Sequence, residues 1–341
     1  MRAWLIPLVV LALALPAQAQ DSVVVFMYHR FGDDRHPSTN IRMDQLREQF
    51  EALRDGGYTV MPLSDALAAL EGGEALPERA VVLTVDDAYR SVYEEGWPVF
   101  REFGYPFTVF VATGTVDGGR PDYMSWEQMR EMGQAGVTFA NHGVLHLHYP
   151  NVSGDRAGSL AADMDDAESR LAEQLGKAHG WLPGVFAWPY GEYDALSLEL
   201  AEQRGWVAFG QQSGPVGRHS DRQAMPRFPM SEAYAQLDAF LDKASSLPFP
   251  LSHEAPRDPV TANPRPDLTL GFERLPGAVT CFVAGQGVVR PEWSDDRSRF
   301  VVTPARDLPA GRNRVNCTAP AGGGRFHWYS RQWVVRPDNR P

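Results

Sequence analysis

Cysteine is nearly absent: Cys281 and Cys317 are the only two in 341 residues. That excludes a Cys-rich metal site. An even count in an exported chain fits one disulfide, with two buried free thiols as the alternative. No apolar run reaches the ~20 residues that span a bilayer. Positive charge is in deficit, with 32 Lys plus Arg against 43 Asp plus Glu and a formal net charge of −11. Such a chain is unsuited to a phosphate backbone, where clustered Lys and Arg replace counterions, so nucleic acid is excluded as a partner. Blocks of like charge and internal repeats are also missing. What is there, 43% hydrophobic and 22% charged residues, is the composition of a folded protein. The length suits one large domain plus a small one.

The first twenty residues read MRAWLIPLVVLALALPAQAQ. Arg2 starts the segment, Trp4 to Leu15 is apolar, and Ala17-Gln18-Ala19 is an A-x-A site. This is the pattern of a secretory signal peptide cleaved after Ala19; a membrane anchor would need a longer run. No Cys follows the site, which excludes a lipoprotein. The mature chain is expected to be exported, periplasmic or extracellular, without a transmembrane segment.

From residue 20 to 247 short apolar runs alternate with amphipathic stretches. The runs are VVVFMY (23–28), AVVLTV (80–85), FTVFVA (107–112), VTFA (137–140), VFAW (185–188) and WVAF (206–209). They barely alternate, as strands buried on both faces should. Between them Leu46, Phe50 and Leu53 recur at helical spacing, and Ser125 with Gln128 reads as a capping box. Residues 160–175 and 195–204 read as further helices. The alternation predicts a parallel α/β fold, a distorted (β/α) barrel or a doubly wound sheet. Residues 248–266 are Pro-rich and without periodicity, and so read as a linker. From 267 to 341 short strands separated by Gly, Pro and Asn turns predict a small β-sandwich, stapled if Cys281 bonds Cys317.

Chemistry-bearing residues follow the runs. His29 and Arg30 follow the first, Asp86 and Asp87 the second. Asn141, His142, His146 and His148 follow VTFA, and Pro189, Tyr190 and Gly191 follow VFAW. In a parallel barrel all strand ends point to one face, where such folds keep their active sites. Two adjacent carboxylates crowd like charge unless a cation or hydrogen bonds compensate; an Asx-type turn is the plainer reading. His142 and His146 are four apart, which on a helical turn puts both imidazoles on one face. One Asp with two His suits Zn²⁺ or a similar ion. His148 is a competing ligand.

These residues resemble a known family. LTVDDAYRS looks like the T-F-D-D motif of polysaccharide deacetylases, the NodB-homology group of carbohydrate esterase family 4. NHGVLH resembles its H-[S/T]-x-x-H, and FAWPYGEYD its R-x-P-[Y/F]-G. The opening VVFMYHRFGD is similar to that of the exported poly-N-acetylglucosamine deacetylases of biofilm systems. The resemblance spans about Val23 to Lys243 and implies a distorted (β/α) barrel and a metal-dependent deacetylase. It implies Asp86 as catalytic base, and Asp87, His142 and His146 as ligands of a divalent metal: Zn²⁺, with Co²⁺, Ni²⁺ or Fe²⁺ as alternatives. The Tyr190 N–H would help bind the oxyanion.

The sequence departs from the family at three points. Gly143 replaces the usual Ser or Thr, so ligand orientation falls to other groups. Ala187 and Trp188 stand where many members have Arg, which leaves Arg227 as a candidate charge partner of Asp86. The late L-x-H acid has Leu251-Ser252-His253 as its match in letters, with His219, His148 and His29 as rivals. Trp188, Pro189, His29 and Arg227 are candidates for contact with substrate. Trp126, Trp181, Tyr190 and Tyr193 are either sugar platforms or core. Trp328, Tyr329 and Trp333 form either a glycan-binding strip or sandwich core, the latter favoured by alternation.

The expectation is an exported enzyme that hydrolyses N-acetyl groups of a β-linked N-acetylglucosamine polymer, a hydrolase of non-peptide carbon–nitrogen bonds, with exopolysaccharide export machinery as a possible neighbour. The rivals are a glycan-binding protein that keeps the fold and an O-acetyl esterase.

Overall fold

The computed structural model describes residues 21–272 and 277–336. The expected signal peptide, 1–19, lies outside the described residues. Six of the apolar runs become strands: β1 (Ser22–Tyr28), β2 (Ala80–Asp86), β3 (Thr108–Val111), β4 (Thr138–Asn141), β5 (Trp181–Ala187) and β6 (Val207–Phe209). Every residue of β1 and β2 is buried, which is why these runs do not alternate.

The strands lie side by side in chain order, each parallel to the next. Crossovers between parallel strands share one hand, so the helices gather on one face. The other face must bury itself by curling. Val24, Phe26, Leu83, Val109 and Phe139 cluster with most of the helices, whereas Val23, Val25, Val82, Phe110 and Ala140 fill the inside, which Leu63 and Ala66 of the helix Leu63–Gly72 help to cover. Helix α1 (Met43–Asp55) supplies Leu46, Phe50 and Leu53 to the core. Helix α2 (Trp126–Gln134) opens on the Ser125–Gln128 capping box, and α3 (Arg156–Gln174) and α4 (Ala195–Gln203) follow.

A segment rather than a full strand joins the two sheet edges. Met225 bridges Phe209 of β6, and Phe228–Pro229 pair with Phe26–Met27 of β1. Arg227 lies between these two anchor points.

From Leu247 onward the chain builds two further sheets. One holds β7 (Leu251–Ala255), β8 (Leu268–Phe272) and β10 (Arg299–Val302). The other holds β9 (Thr280–Val283), β11 (Gly311–Gly322) and β12 (Arg325–Val335). Leu268, Leu270 and Phe300 from the first sheet share a core with Val315, Cys317 and Trp333 from the second. Cys281 and Cys317 face each other across β9 and β11 and are disulfide-bonded. The Pro-rich stretch 248–266, expected as a linker, is instead built into this sandwich. Pro248 pairs with Trp328, β7 pairs with β8, and Val260–Thr261 pair with β12. Proline is tolerated there because such positions lie at sheet edges, where a missing N–H breaks no ladder. Trp333 and Tyr329 are buried in the sandwich core, and Trp328 packs edge-on against Phe228 of the barrel. The three aromatics therefore make no exposed strip.

Candidate active site

Strand β2 ends at Asp86, and the chain then turns through two left-handed residues, Asp87 (φ 75°) and Ala88 (φ 56°). Such conformations are costly for residues with a Cβ and cluster at functional sites. The two adjacent carboxylates have different partners.

Asp86 is wholly buried and receives a two-pronged hydrogen bond from Arg227, Nη1 to Oδ1 at 2.7 Å and Nη2 to Oδ2 at 2.8 Å. Arg227 is itself 0% exposed and also donates to the Gly210 carbonyl (3.1 Å) and Thr84 Oγ1 (3.2 Å). Burial alone would push the Asp86 carboxyl up, but Arg227 and then His142 outweigh it and hold it below its ordinary value. A carboxylate is thereby kept ionised in a dry place. The expectation that Arg227 contacts substrate is corrected: its buried guanidinium is committed to Asp86.

Asp87 Oδ1 lies 3.0 Å from His146 Nε2 and 3.4 Å from His142 Nε2. The three ligating atoms fall within 4.8 Å of one another, the one such cluster among the described residues. His142 Nδ1 is 2.7 Å from the Ala187 carbonyl, which can only accept, so Nδ1 carries the hydrogen. In the neutral ring Nε2 then has a lone pair. That atom is buried and has no hydrogen-bond partner among the described residues. A lone pair facing a carboxylate in a dry site needs positive charge between them, and the donor set of one carboxylate and two imidazoles fits a divalent metal. Burial pushes the Asp87 carboxyl up, yet the two imidazoles hold it well below its ordinary value.

The two histidines do not share a helical turn. They flank a loop in which Gly143 (φ 75°) and His146 (φ 52°) are both left-handed. Sequence reasoning missed what holds this loop. Asp163 of α3 accepts from the backbone N–H of Val144 (3.2 Å) and Leu145 (2.9 Å) and from the Tyr149 hydroxyl (2.8 Å). A Cβ on residue 143 would collide with the Asp163 carboxylate. Thus Gly143 and Asp163 together do the work that a Ser or Thr hydroxyl was expected to do. The signal was present: Asp163 sits among Leu160, Met164, Ala167 and Leu171 on the buried face of α3. An unexplained acid on an apolar stripe has a partner to find.

Tyr190 is left-handed (φ 57°), and its ring lies 4.4 Å from that of His146 and stacks on His148 at 3.8 Å. His148 Nδ1 is 2.7 Å from Glu192 Oε2, so its ring is engaged at this rim rather than in the metal-type cluster. His29 is within electrostatic reach of Asp86, Asp87, Arg227 and His142, and burial holds its imidazole below its ordinary value against the two aspartates. His219 is exposed beside the short strand Val216–Gly217, which pairs with Ser22 and Val23 at the opposite end of β1. His253 is exposed on strand β7 of the sandwich. Trp188 is corrected as a sugar platform: it is 0% exposed, donates to the Gln223 carbonyl (2.7 Å) and packs on Tyr149 and Phe186. Pro189 and Tyr193 are buried as well.

A curled parallel sheet with carboxylates and imidazoles converging at its strand ends defines the class, a (β/α)-barrel-type site whose donor set suits a metal. Residues 73–209 match the family model for polysaccharide deacetylases, and this region is a polysaccharide deacetylase domain. The poly-beta-1,6-N-acetyl-D-glucosamine N-deacetylase of Escherichia coli K12 is 29% identical over 225 residues, covering 55% of this chain and 33% of that protein. The chain thus spans about a third of that relative's length. The enzyme of the same description from Staphylococcus aureus MSSA476 is 24% identical over 219 residues, covering 61% and 73%. Among solved structures, IcaB from Ammonifex degensii superposes with a TM-score of 0.57 at 27% identity, covering 67% of this chain and 99% of that one.

Proposed function

We propose that this chain is a metal-dependent deacetylase that hydrolyses N-acetyl groups of a β-linked N-acetylglucosamine polymer, releasing acetate and leaving free amines. The observation that carries this reading is the pair of unlike carboxylates: Asp87 in the metal-type cluster and, beside it, Asp86 kept ionised by Arg227. A glycan-binding protein has no use for the second. The named activity of the bacterial relatives points to the polymer.

Asp87, His142 and His146 would hold a divalent cation, with Zn²⁺ the first choice for this donor set. When bound it supplies Lewis acidity towards a water and an acyl oxygen. Asp86 takes the proton of the attacking water; the Arg227 fork leaves its oxygens a lone pair each for this task. The Tyr190 N–H donates to the oxyanion that forms on the acetamide. The proton that Asp86 has taken then returns to the departing amine, and His29, within electrostatic reach of both aspartates, is the candidate relay. No helix among the described residues is long and apolar enough to cross a membrane. The disulfide and the leader-like first twenty residues support export.

Metal analysis combined with acetate release from a panel of N- and O-acetylated glycans tests the reading. Poly-N-acetylglucosamine should release acetate, chelation should stop it, and Zn²⁺ should restore it. Asp86→Asn should keep its metal and lose turnover by roughly a thousandfold. Asp87→Ala, His142→Ala and His146→Ala should lose metal. Equal metal loss in Asp86→Asn would overturn the division of roles. Acetate from O-acetyl esters alone would replace the substrate.

A further inference from the structure

The loops that shape the site are held from outside the barrel. Arg312 of β11 donates from Nη1 to the Tyr190 carbonyl at 2.8 Å, and its Nε lies 3.3 Å from Glu192 Oε1. Gln332 of β12, itself buried, donates to the Gly191 carbonyl at 3.0 Å. Arg314 of β11 donates to the Gln211 carbonyl at 3.0 Å. Three side chains of the sandwich thus reach three backbone carbonyls in two barrel loops.

Those two loops are the ones that matter. Residues 189–192 present Tyr190, whose left-handed backbone is unfavourable for a residue with a side chain and must be stabilised by its surroundings. Residues 210–212 orient Arg227: the Gly210 carbonyl accepts from Nε and the Gln212 carbonyl from the Arg227 amide. The loops also touch each other. A Cβ on Gly191 would come within 2.6 Å of Gln211 Cβ. Movement of one loop therefore disturbs the other, and through Arg227 it reaches Asp86.

We propose that the sandwich is a working part of the active site, with Arg312, Gln332 and Arg314 as positioning residues that lock the Tyr190 loop and the loop that aims Arg227. This rests on the deacetylase reading above. Arg312 and Gln332 act through the backbone of residues 190 and 191 and touch none of the reacting atoms. Loss of either frees a carbonyl and lets the Tyr190 N–H drift from the oxyanion. Misplacement on this scale is felt in kcat, while the metal ligands, on other loops, stay put.

The experiment uses the full chain and the variants Arg312→Ala, Arg312→Lys, Gln332→Ala and, as control, Arg306→Ala. Arg306 lies in the same sandwich and donates to the Gly285 carbonyl, away from the barrel loops. Hydrogen exchange of the amides of residues 190–192 and 210–212 is measured on metal-free protein. Metal content, kcat and KM are measured on loaded protein with soluble N-acetylglucosamine oligomers. Arg312→Ala and Gln332→Ala should speed exchange in both loops by roughly tenfold and lower kcat by roughly ten- to a hundredfold, with KM and metal content nearly unchanged. Arg312→Lys should restore most of kcat, and Arg306→Ala should change nothing. Arg312 is half-exposed, so its variant decides the matter even if Gln332→Ala fails to fold. Wild-type exchange and wild-type kcat in Arg312→Ala would overturn the proposal. A fall in kcat without faster exchange would also overturn it, because Arg312 would then act on substrate directly. Wild-type protein inactive on every glycan would refute the deacetylase reading, while the exchange data would still decide whether the sandwich braces the loops.

Discussion

At the carboxyl end of its sheet the barrel buries Asp86, Arg227, Asp87 and His142, whereas the sandwich core is Leu268, Leu270, Phe300, Val315 and Trp333 around the Cys281–Cys317 bond. The barrel's buried charges each depend on a neighbour. Removing one partner of such a pair strands the other, although removing both can cost little. The sandwich core is built mainly from apolar side chains, with buried Arg331 paired to Glu254 at its edge, and it gains a cross-link that restricts the unfolded chain. One unit is arranged around chemistry at the expense of tolerance to substitution; the other is arranged for stability and lends rigidity to the first.

The strongest way to break this contrast is Arg227→Met. It leaves Asp86 buried and uncompensated and should lower stability by ~3–5 kcal/mol in urea denaturation. Combining it with Asp86→Asn should recover much of that loss but none of the activity. Equal instability in the single and double variants would show that packing around Arg227, rather than charge, was at stake.

Replacing Cys281 and Cys317 with Ser tests the other half of the contrast. The two lie 36 residues apart in sequence, and closing such a loop is worth ~3–4 kcal/mol in the chain-entropy model. The sandwich should melt earlier, read by differential scanning calorimetry of oxidised and reduced protein. An unchanged melting profile on reduction would mean that the core alone sustains the sandwich.

Asp163→Ala sharpens the comparison within the barrel. It leaves the N–H groups of Val144 and Leu145 without their acceptor, at ~1–3 kcal/mol. Metal affinity should fall ten- to a hundredfold, by the scale typical of groups that orient ligands. Competition with a chelating dye reads this directly, and wild-type affinity would remove Asp163 from the account of the loop.

The smallest expected effect concerns Asp33, on the barrel rim. The Arg35 and Arg30 guanidiniums hold its carboxyl down to about 2, against an ordinary 3.8. A carboxyl depressed in the folded state adds stability above its unfolded value and loses it as pH falls through the folded one. The Asp33→Asn variant should therefore be less stable than wild type near neutral pH, and the gap should close between about pH 4 and 2. Because Arg35 is exposed, the difference should stay below ~1 kcal/mol. Urea midpoints of both proteins at several pH values check the sign.

Much of this architecture was legible in the residues. Strands buried on both faces announce themselves as unalternating Val- and Phe-rich runs, and β1 to β6 fall within or near the six runs read from the chain. The Ser125–Gln128 box caps a helix as its spacing implies. Asp86, Asp87, His142 and His146 could be singled out because strand ends in a parallel fold face one way. The reading of His142 and His146 as a helical pair named residues that the structure does bring together with Asp87, but by a different geometry. Four-residue spacing also serves a loop with two left-handed residues, and only backbone angles distinguish the two cases.

What the sequence determined by itself is local: the strand and helix periodicities, the cysteine pair, and the order of motifs along the chain. Those follow from short-range sterics and from which side chains water rejects. The tertiary structure decided which groups face one another. Arg227 meets Asp86 from 141 residues away because the segment joining β6 to β1 closes the sheet there. Trp188 is core because α3 and the loop around Tyr149 cover it. Arg312 and Gln332 reach the Tyr190 loop because the sandwich packs on that side of the barrel. Contacts of that kind depend on how whole elements pack, and no window of sequence contains both partners.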